Sequence, residues 1–248
     1  MKMIIKVIIG GLGILVIVVT VLLIYHIRSN SVLEDIDYSN YPYITLPVFK
    51  TDGDISVEET LVNRRSRRNF QDKTISLEQL SQILWAAYGI TLSIPNEADL
   101  RGGFRTTPSA GALYPLEVYV VIGNVEDIEP GLYKYIAQGH KIVRLIDGDI
   151  RDEFSEATLG QRMIKDAPVS IFYSAVFRRT TDRYGRRGNN YVYIELGHSA
   201  QNVYLQVEAL GLGTVAVGAF NDSEVSRVMQ LPPEEEPLYI MPVGYIVR

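Results

Sequence analysis

Four arginines fall within five positions in RRSRRNF (residues 64–70), in a chain whose formal net charge is −5. Like charges this close repel unless an anion neutralises them, and the segment therefore raises the question of a phosphate, a membrane surface, a nucleic acid or plain solvent. A guanidinium stays protonated and presents a planar fork of donors suited to bidentate capture of a phosphate; Ser66 adds a hydroxyl. Two further stretches carry potential chemistry. RTTPSAGALYP (residues 105–115) is a run of small residues before an apolar segment, where a planar ligand can approach the backbone closely. TVAVGAF (residues 214–220) offers a second small-residue turn able to aim a backbone N–H at a ligand heteroatom. Taken singly, each has an ordinary competitor, a solvated helix end for the arginines and common loop geometry for the glycines.

Other chemistries are poorly served. There is no cysteine, which removes disulfides, thiolate metal sites and cysteine nucleophiles. The three histidines, His26, His140 and His198, are scattered without ligand spacing to acidic neighbours, so no metal site is expected. GHSAQ is not a nucleophile elbow, and no P-loop pattern occurs. The acidic balance argues against general nucleic-acid binding, which calls for a basic domain. Without a metal or a nucleophile, redox work would need an organic cofactor. A second basic run, FRRTTDRYGRR (residues 177–187), reads as a solvated loop, a substrate-facing lid or a patch for anionic lipid.

The elements that must position these residues follow from periodicity. Val57, Leu61 and Val62 have helical spacing, which puts the arginines at a helix end or in the loop beyond. In TISLEQLSQILWAAYG, Ser76 and Gln79 form a capping box, Leu77, Leu80, Ile83, Leu84 and Ala87 an apolar face, and Gly89 the stop. LEVYVVIG reads as a buried strand, GLYKYIAQGHKIVRLI as a hairpin, DIRDEFSEATLG as a helix and APVSIFYSAVF as a second core strand. NNYVYIELGHSAQNVYLQVEALGLG is a long helix, apolar almost all round and so expected to be buried on most sides. TVAVGAF and PLYIMPVGYIV read as closing strands with a short helix between them. The sum is an α+β sandwich, a mostly antiparallel sheet flanked by helices.

Ahead of this domain, Val7–Tyr25 is uncharged and long enough to cross a bilayer core of about 30 Å. No small-residue cleavage site follows, so residues 1–28 are expected to be a retained membrane anchor rather than a signal peptide. Its glycines lack the strand and helix context of a dinucleotide fingerprint. Lys2 and Lys6 before the span weakly favour an extracytoplasmic domain. Residues 29–50 read as a linker and residues 51–248 as the folded domain.

The order of RRSRRNF, PSAGALYPLEVYVV, GLYKY, APVSI, RYGRRGNNYVYIELGHSAQNVYLQVEALGLGTVAVGAF and PLYIMPVGY resembles the nitroreductase superfamily, and within it the SagB-type, azoline-forming peptide dehydrogenase branch. The resemblance implies an FMN-dependent oxidoreductase, a homodimer with FMN at the interface, and NAD(P)H as a candidate electron donor. It places Arg64, Arg65, Ser66 and Arg68 on the phosphate, ribityl chain and flavin edge, where a fixed cation such as Arg68 would stabilise the charge gained by reduced flavin. Pro108, Ser109, Ala110 and Ala112 would come from the partner chain. Val217, Gly218 and Ala219 would run along the isoalloxazine, with the Gly218 N–H near N5.

Two departures qualify the resemblance. Azoline-oxidising relatives carry a Lys-Tyr pair where this chain has Arg183 and Tyr184; arginine is a poor base, which leaves proton abstraction to Tyr184 or to nothing. Ala112 replaces a polar residue common in other nitroreductases. The expected substrate is a small organic acceptor or a modified peptide. The alternative is a non-catalytic, membrane-tethered module that keeps the fold, with or without the flavin, and a domain outside the cytoplasm would not meet cytosolic NAD(P)H.

Overall fold

The computed structural model describes residues 36–94 and 100–247. The expected anchor, Val7–Tyr25, lies outside them, and among the described residues no helix is long and apolar enough to cross a membrane.

Seven strands form one antiparallel sheet: β1 (Tyr43–Thr45), β4 (Leu116–Ile122), β5 (Gly131–Ile136), β6 (Lys141–Asp147), β7 (Val169–Ala175), β8 (Gly213–Thr214) and β9 (Glu236–Gly244), in the order β1-β6-β5-β4-β7-β9-β8. A separate two-stranded ribbon joins β2 (Ile90–Ser93) to β3 (Gly103–Arg105). The central strands β4 and β7 are buried along their whole length, which their mostly apolar and aromatic runs anticipate, with Glu117, Ser170 and Ser174 the polar exceptions. Side chains alternate between the faces. Val118, Val120 and Ile122 meet α2 (Leu77–Tyr88) and α6 (Gly188–Ala209); Tyr119 and Val121 meet α3 (Arg151–Ala157), α4 (Arg162–Asp166) and α7 (Asp222–Val228). Two short helices complete the set, α1 (Val57–Asn63) and α5 (Arg178–Tyr184).

Local chemistry explains the helix that matters most for the site's floor. Gln79 N–H donates to Ser76 Oγ at 3.2 Å and Ser76 N–H donates to Gln79 Oε1 at 3.1 Å, the reciprocal capping box that starts α2. Its apolar face, Leu80, Ile83, Leu84 and Ala87, is fully buried. Truncating Leu84 to alanine would cost about 2–5 kcal/mol by transfer and cavity terms. Gly89 ends the helix in an extended conformation. A Cβ there would sit 2.3 Å from Trp85 Cδ1, so close approach to the last turn, rather than a left-handed backbone, requires glycine.

Three expectations need correction. The second half of the linker segment enters the fold: β1 pairs with β6, Leu46 is buried, and Phe49 stacks on Trp85 at 4.4 Å. Proline punctuation hid a short edge strand. TVAVGAF forms a strand only at its start, because after β8 the chain keeps a single bridge, Val217 to Ile240, and then turns away. Helix α6 buries one face through Val192, Leu196, Ala200, Val203 and Val207, yet Tyr193 is 54% and Ile194 50% exposed. Apolar composition on every side did not distinguish a face packed within the chain from one left on its surface.

Candidate active site

The arginine segment begins where α1 ends. Arg64 N–H donates to Thr60 O at 2.9 Å, and Arg65 folds back so that its Nη1 donates to the carbonyls of Val62 (2.9 Å) and Arg64 (2.8 Å). Arg65 thereby satisfies carbonyls left open at the helix terminus, a local commitment that the sequence did not reveal. Arg64 and Arg68 have no acidic partner among the described residues; the Arg64 guanidinium lies 5.2 Å from the ring centroid of Tyr204.

Tyr204 joins this segment to the second small-residue turn. Its hydroxyl lies 3.1 Å from Ser66 Oγ and accepts the Ala216 N–H at 2.8 Å. Backbone pairing adds to the join: Arg67 N–H donates to Thr214 O at 2.8 Å, and Ser66 bridges Thr214. Val217 exchanges both backbone hydrogen bonds with Ile240, and Gln161 Nε2 donates to Ala219 O at 2.8 Å. Between these clamps Gly218 is exposed, and its N–H finds no acceptor among the described residues. The segment carrying Arg64, Ser66 and Arg68 and the turn carrying Val217, Gly218 and Ala219 are therefore joined into one connected wall.

A second wall holds Pro108, Ser109, Ala110 and Ala112. The Ser109 hydroxyl accepts the Tyr114 N–H at 2.9 Å, and a single 3₁₀ turn spans Ala110–Ala112. Gly111 (φ 65°), Ala112 (φ 55°) and Tyr114 (φ 47°) are left-handed, a conformation costly for the two that carry a Cβ. Arg183 and Tyr184 lie against this turn. A Cβ on Gly111 would fall 2.7 Å from Tyr184 Oη and 3.0 Å from Arg183 Nη1. Residues some seventy positions apart in sequence thus share one surface.

Beneath the turn lies a group that the sequence reading missed. Glu195, on α6, is 2% exposed and accepts a hydrogen bond from the Tyr88 hydroxyl. Burial pushes its carboxyl up to about 7, while hydrogen bonds from Ser109 and Tyr88 and the Arg105 charge pull the other way. The Arg105 guanidinium stacks between Tyr88 (4.3 Å) and Tyr114 (4.7 Å). A lone acid inside the apolar run YIELGHSA was the available signal. Arg67 and Arg105 were also passed over; each has a buried Nε without a hydrogen-bond partner.

The two walls occupy different stretches of α6. Glu195 underlies one and Tyr204 the other, nine residues or about 13–14 Å along the axis. The donor set on the first wall fits a phosphorylated, planar cofactor: two guanidiniums without acidic partners, a hydroxyl, and an outward N–H beside a turn in which a Cβ on Gly218 would touch only the Tyr239 ring. Among the described residues no group of His, Asp and Glu is placed to hold a metal, and His140 is engaged by Ser81 Oγ (2.7 Å) and Tyr135 Oη (2.9 Å).

An antiparallel α+β sandwich carrying such an arginine segment and two small-residue turns defines a class of oxidoreductases. The chain belongs to the nitroreductase family, whose profile matches residues 61–245. It is 47% identical over 191 residues to a Methanocaldococcus jannaschii protein with a provisional nitroreductase name, covering 77% of this chain and 91% of that one. The microcin B17-processing protein McbC of Escherichia coli is 25% identical over 202 residues, 78% of this chain and 72% of McbC. Among solved structures, a provisionally named nitroreductase of Ralstonia eutropha superposes with a TM-score of 0.69 at 30% identity, covering 83% of this chain and 90% of that one.

Proposed function

We propose that this oxidoreductase is FMN-dependent and works as a homodimer, taking reducing equivalents from NAD(P)H or a reduced organic donor and passing them to a small organic acceptor. Bound FMN would supply the hydride chemistry. Arg64 and Arg68 would hold the phosphate and flavin edge, Ser66 the ribityl chain, and the Gly218 N–H the ring nitrogen that exchanges hydride. Pro108, Ser109, Ala110 and Ala112 would close the site from the partner copy. The observation that carries this reading is the Tyr204 hydroxyl between Ser66 and Ala216, which makes one wall of two motifs some 150 residues apart. The dimer is supported by the exposed Leu61, Val62, Tyr193 and Ile194 on adjoining helices, and by the separation of the two walls along α6.

Kinship with McbC favours a second reading, in which the chain dehydrogenates a heterocycle in a modified peptide. Arg183 argues against it, because a guanidinium cannot serve as the base. Residues 1–28 are proposed as a membrane tether on the strength of their apolar sequence; with the domain outside the cytoplasm the donor would be the reduced organic compound, and with it inside, NAD(P)H. Extraction with alkaline carbonate tests the tether, and protease access in sealed cells tests the side.

The test of function is direct. The full chain, purified in detergent and supplied with FMN, should be yellow, retain about one flavin per protomer, and bleach anaerobically with NADH or NADPH. Protein that takes up no flavin would overturn the reading.

A further inference from the structure

We propose that the Arg183, Arg186 and Arg187 rim makes this enzyme select substrates that carry a carboxylate or a comparable small oxyanion. The inference rests on the flavin site proposed above, since it names the substrate class of that site.

The first observation is that these cations are uncommitted. Their neighbours are engaged: Arg178 pairs with Asp182 at 3.4 Å and Arg179 with Glu117 at 2.5 Å. Arg183, Arg186 and Arg187 are exposed and have no acidic partner among the described residues. In a chain of net charge −5, three unpaired guanidiniums within five positions form a local positive centre rather than part of a general basic surface.

Their mounting is the second observation. Helix α5 ends at Gly185, whose φ of 56° and ψ of −149° are open essentially to glycine alone. The break starts a 3₁₀ turn over Gly185–Arg187, which carries Arg186 and Arg187 shortly after Arg183. The Tyr184 and Tyr191 rings meet edge to face at 5.2 Å and support the cations, with the Arg183 guanidinium 5.4 Å from the Tyr184 centroid and that of Arg187 5.8 Å from Tyr191. A guanidinium resting on a ring keeps its N–H edge free for an anion. Favourable placement of a cation at a helix C-terminus accounts for Arg183; it does not account for Arg186 and Arg187, which lie beyond the helix.

Location is the third. Arg183 Nη1 and Tyr184 Oη fill the space that a Gly111 side chain would take, so this end of the arginine run, with Arg186 and Arg187 following within four residues, adjoins the turn assigned to the flavin site. That position favours a small anion entering the site over an anionic lipid surface. A carboxylate there would meet charge-assisted hydrogen bonds that its neutral isostere lacks.

Matched acceptors test this. With flavin-loaded full chain, kcat/KM for 4-nitrobenzoate should exceed that for nitrobenzene by at least tenfold, and the ratio should collapse toward unity in R186Q/R187Q or in about 0.5 M NaCl. Independently of turnover, calorimetry should show benzoate binding at least tenfold more tightly than benzamide, with the difference lost in the same variant. Equal treatment of the paired compounds by the wild-type protein, or a preference that survives R186Q/R187Q, would overturn the inference. Binding to phosphatidylserine vesicles that depends on Arg186 and Arg187, without a benzoate preference, would overturn it in favour of a membrane contact. Flavin-loaded protein without charge preference sinks only this proposal, whereas protein that takes up no FMN sinks the function above and leaves the benzoate measurement to decide the anion site.

Discussion

The Tyr88 hydroxyl donates to Glu195 Oε1, joining α2 to α6 where both residues are buried beside the Ser109 turn. The bond ties an acid with a raised pKa to a loop assigned to cofactor binding. A carboxyl lifted to about 7 in the folded chain binds more protons than its unfolded counterpart between about pH 4.5 and 7. Stability must therefore fall as pH rises through that window. The expected loss is roughly 3 kcal/mol at most, and E195Q should flatten that part of the pH profile. Urea midpoints measured from pH 5 to 8 for both proteins check it; parallel profiles would contradict the assignment.

On the opposite face of the sheet, Lys134 Nζ lies 3.0 Å from Glu117 Oε2 and 3.1 Å from Glu235 Oε1, all three buried. Tyr119 donates to Glu235 at 2.8 Å and Arg179 pairs with Glu117. Burial alone would raise the Glu117 carboxyl, but Lys134, Arg179 and Arg101 outweigh it and hold it at about 2. Its contribution to stability is thus present above the usual carboxylate range and lost as pH falls toward 2. Removing the central cation leaves two carboxylates buried without it. K134M is expected to cost about 3–5 kcal/mol, read by chemical denaturation at pH 7.

Arg64 and Arg68 are expected to carry the cofactor phosphate. Charge-assisted hydrogen bonds contribute roughly 1.5–3 kcal/mol each, so R64A and R68A should each weaken FMN binding by on the order of 10- to 100-fold. Flavin fluorescence quenching measures this, with circular dichroism to verify the fold. R65A serves as the contrast, because the Arg65 side chain closes the end of α1. It should lower stability more than flavin affinity.

Tyr204→Phe removes the hydroxyl shared by Ser66 and Ala216 and leaves the Ala216 N–H without its acceptor. The expected cost is about 1–3 kcal/mol in stability, together with weaker flavin retention as the two motifs lose their common support. Thermal denaturation with and without FMN separates the effects. Retention unchanged from wild type would show that the two motifs are held together by backbone pairing alone.

Much of the fold was legible because its signals are local. The Ser76–Gln79 capping box, the apolar runs of β4 and β7, and the break at Gly89 are each written within a few residues. The arginine segment and the small-residue turns stood out in the sequence for the same reason. Less visible were single residues whose role depends on surroundings. Glu195 looks like any polar residue in an apolar helix until Tyr88 and Ser109 are set against it, and Arg65 reads as a phosphate ligand until its reach back to Val62 O is seen.

Composition and periodicity by themselves determined the sandwich class, excluded cysteine chemistry, and marked the arginine segment and the small-residue turns; the redox reading came with the family resemblance. Tertiary structure alone decided which motifs meet: Ser66 with Ala216 through Tyr204, and Gly111 with Arg183 and Tyr184. It also decided which face of α6 is covered. The reason is physical. Hydrophobic spacing repeats over a few residues and specifies an element, while contacts between distant residues depend on strand register and helix packing across the whole sheet, which no short stretch of chain encodes.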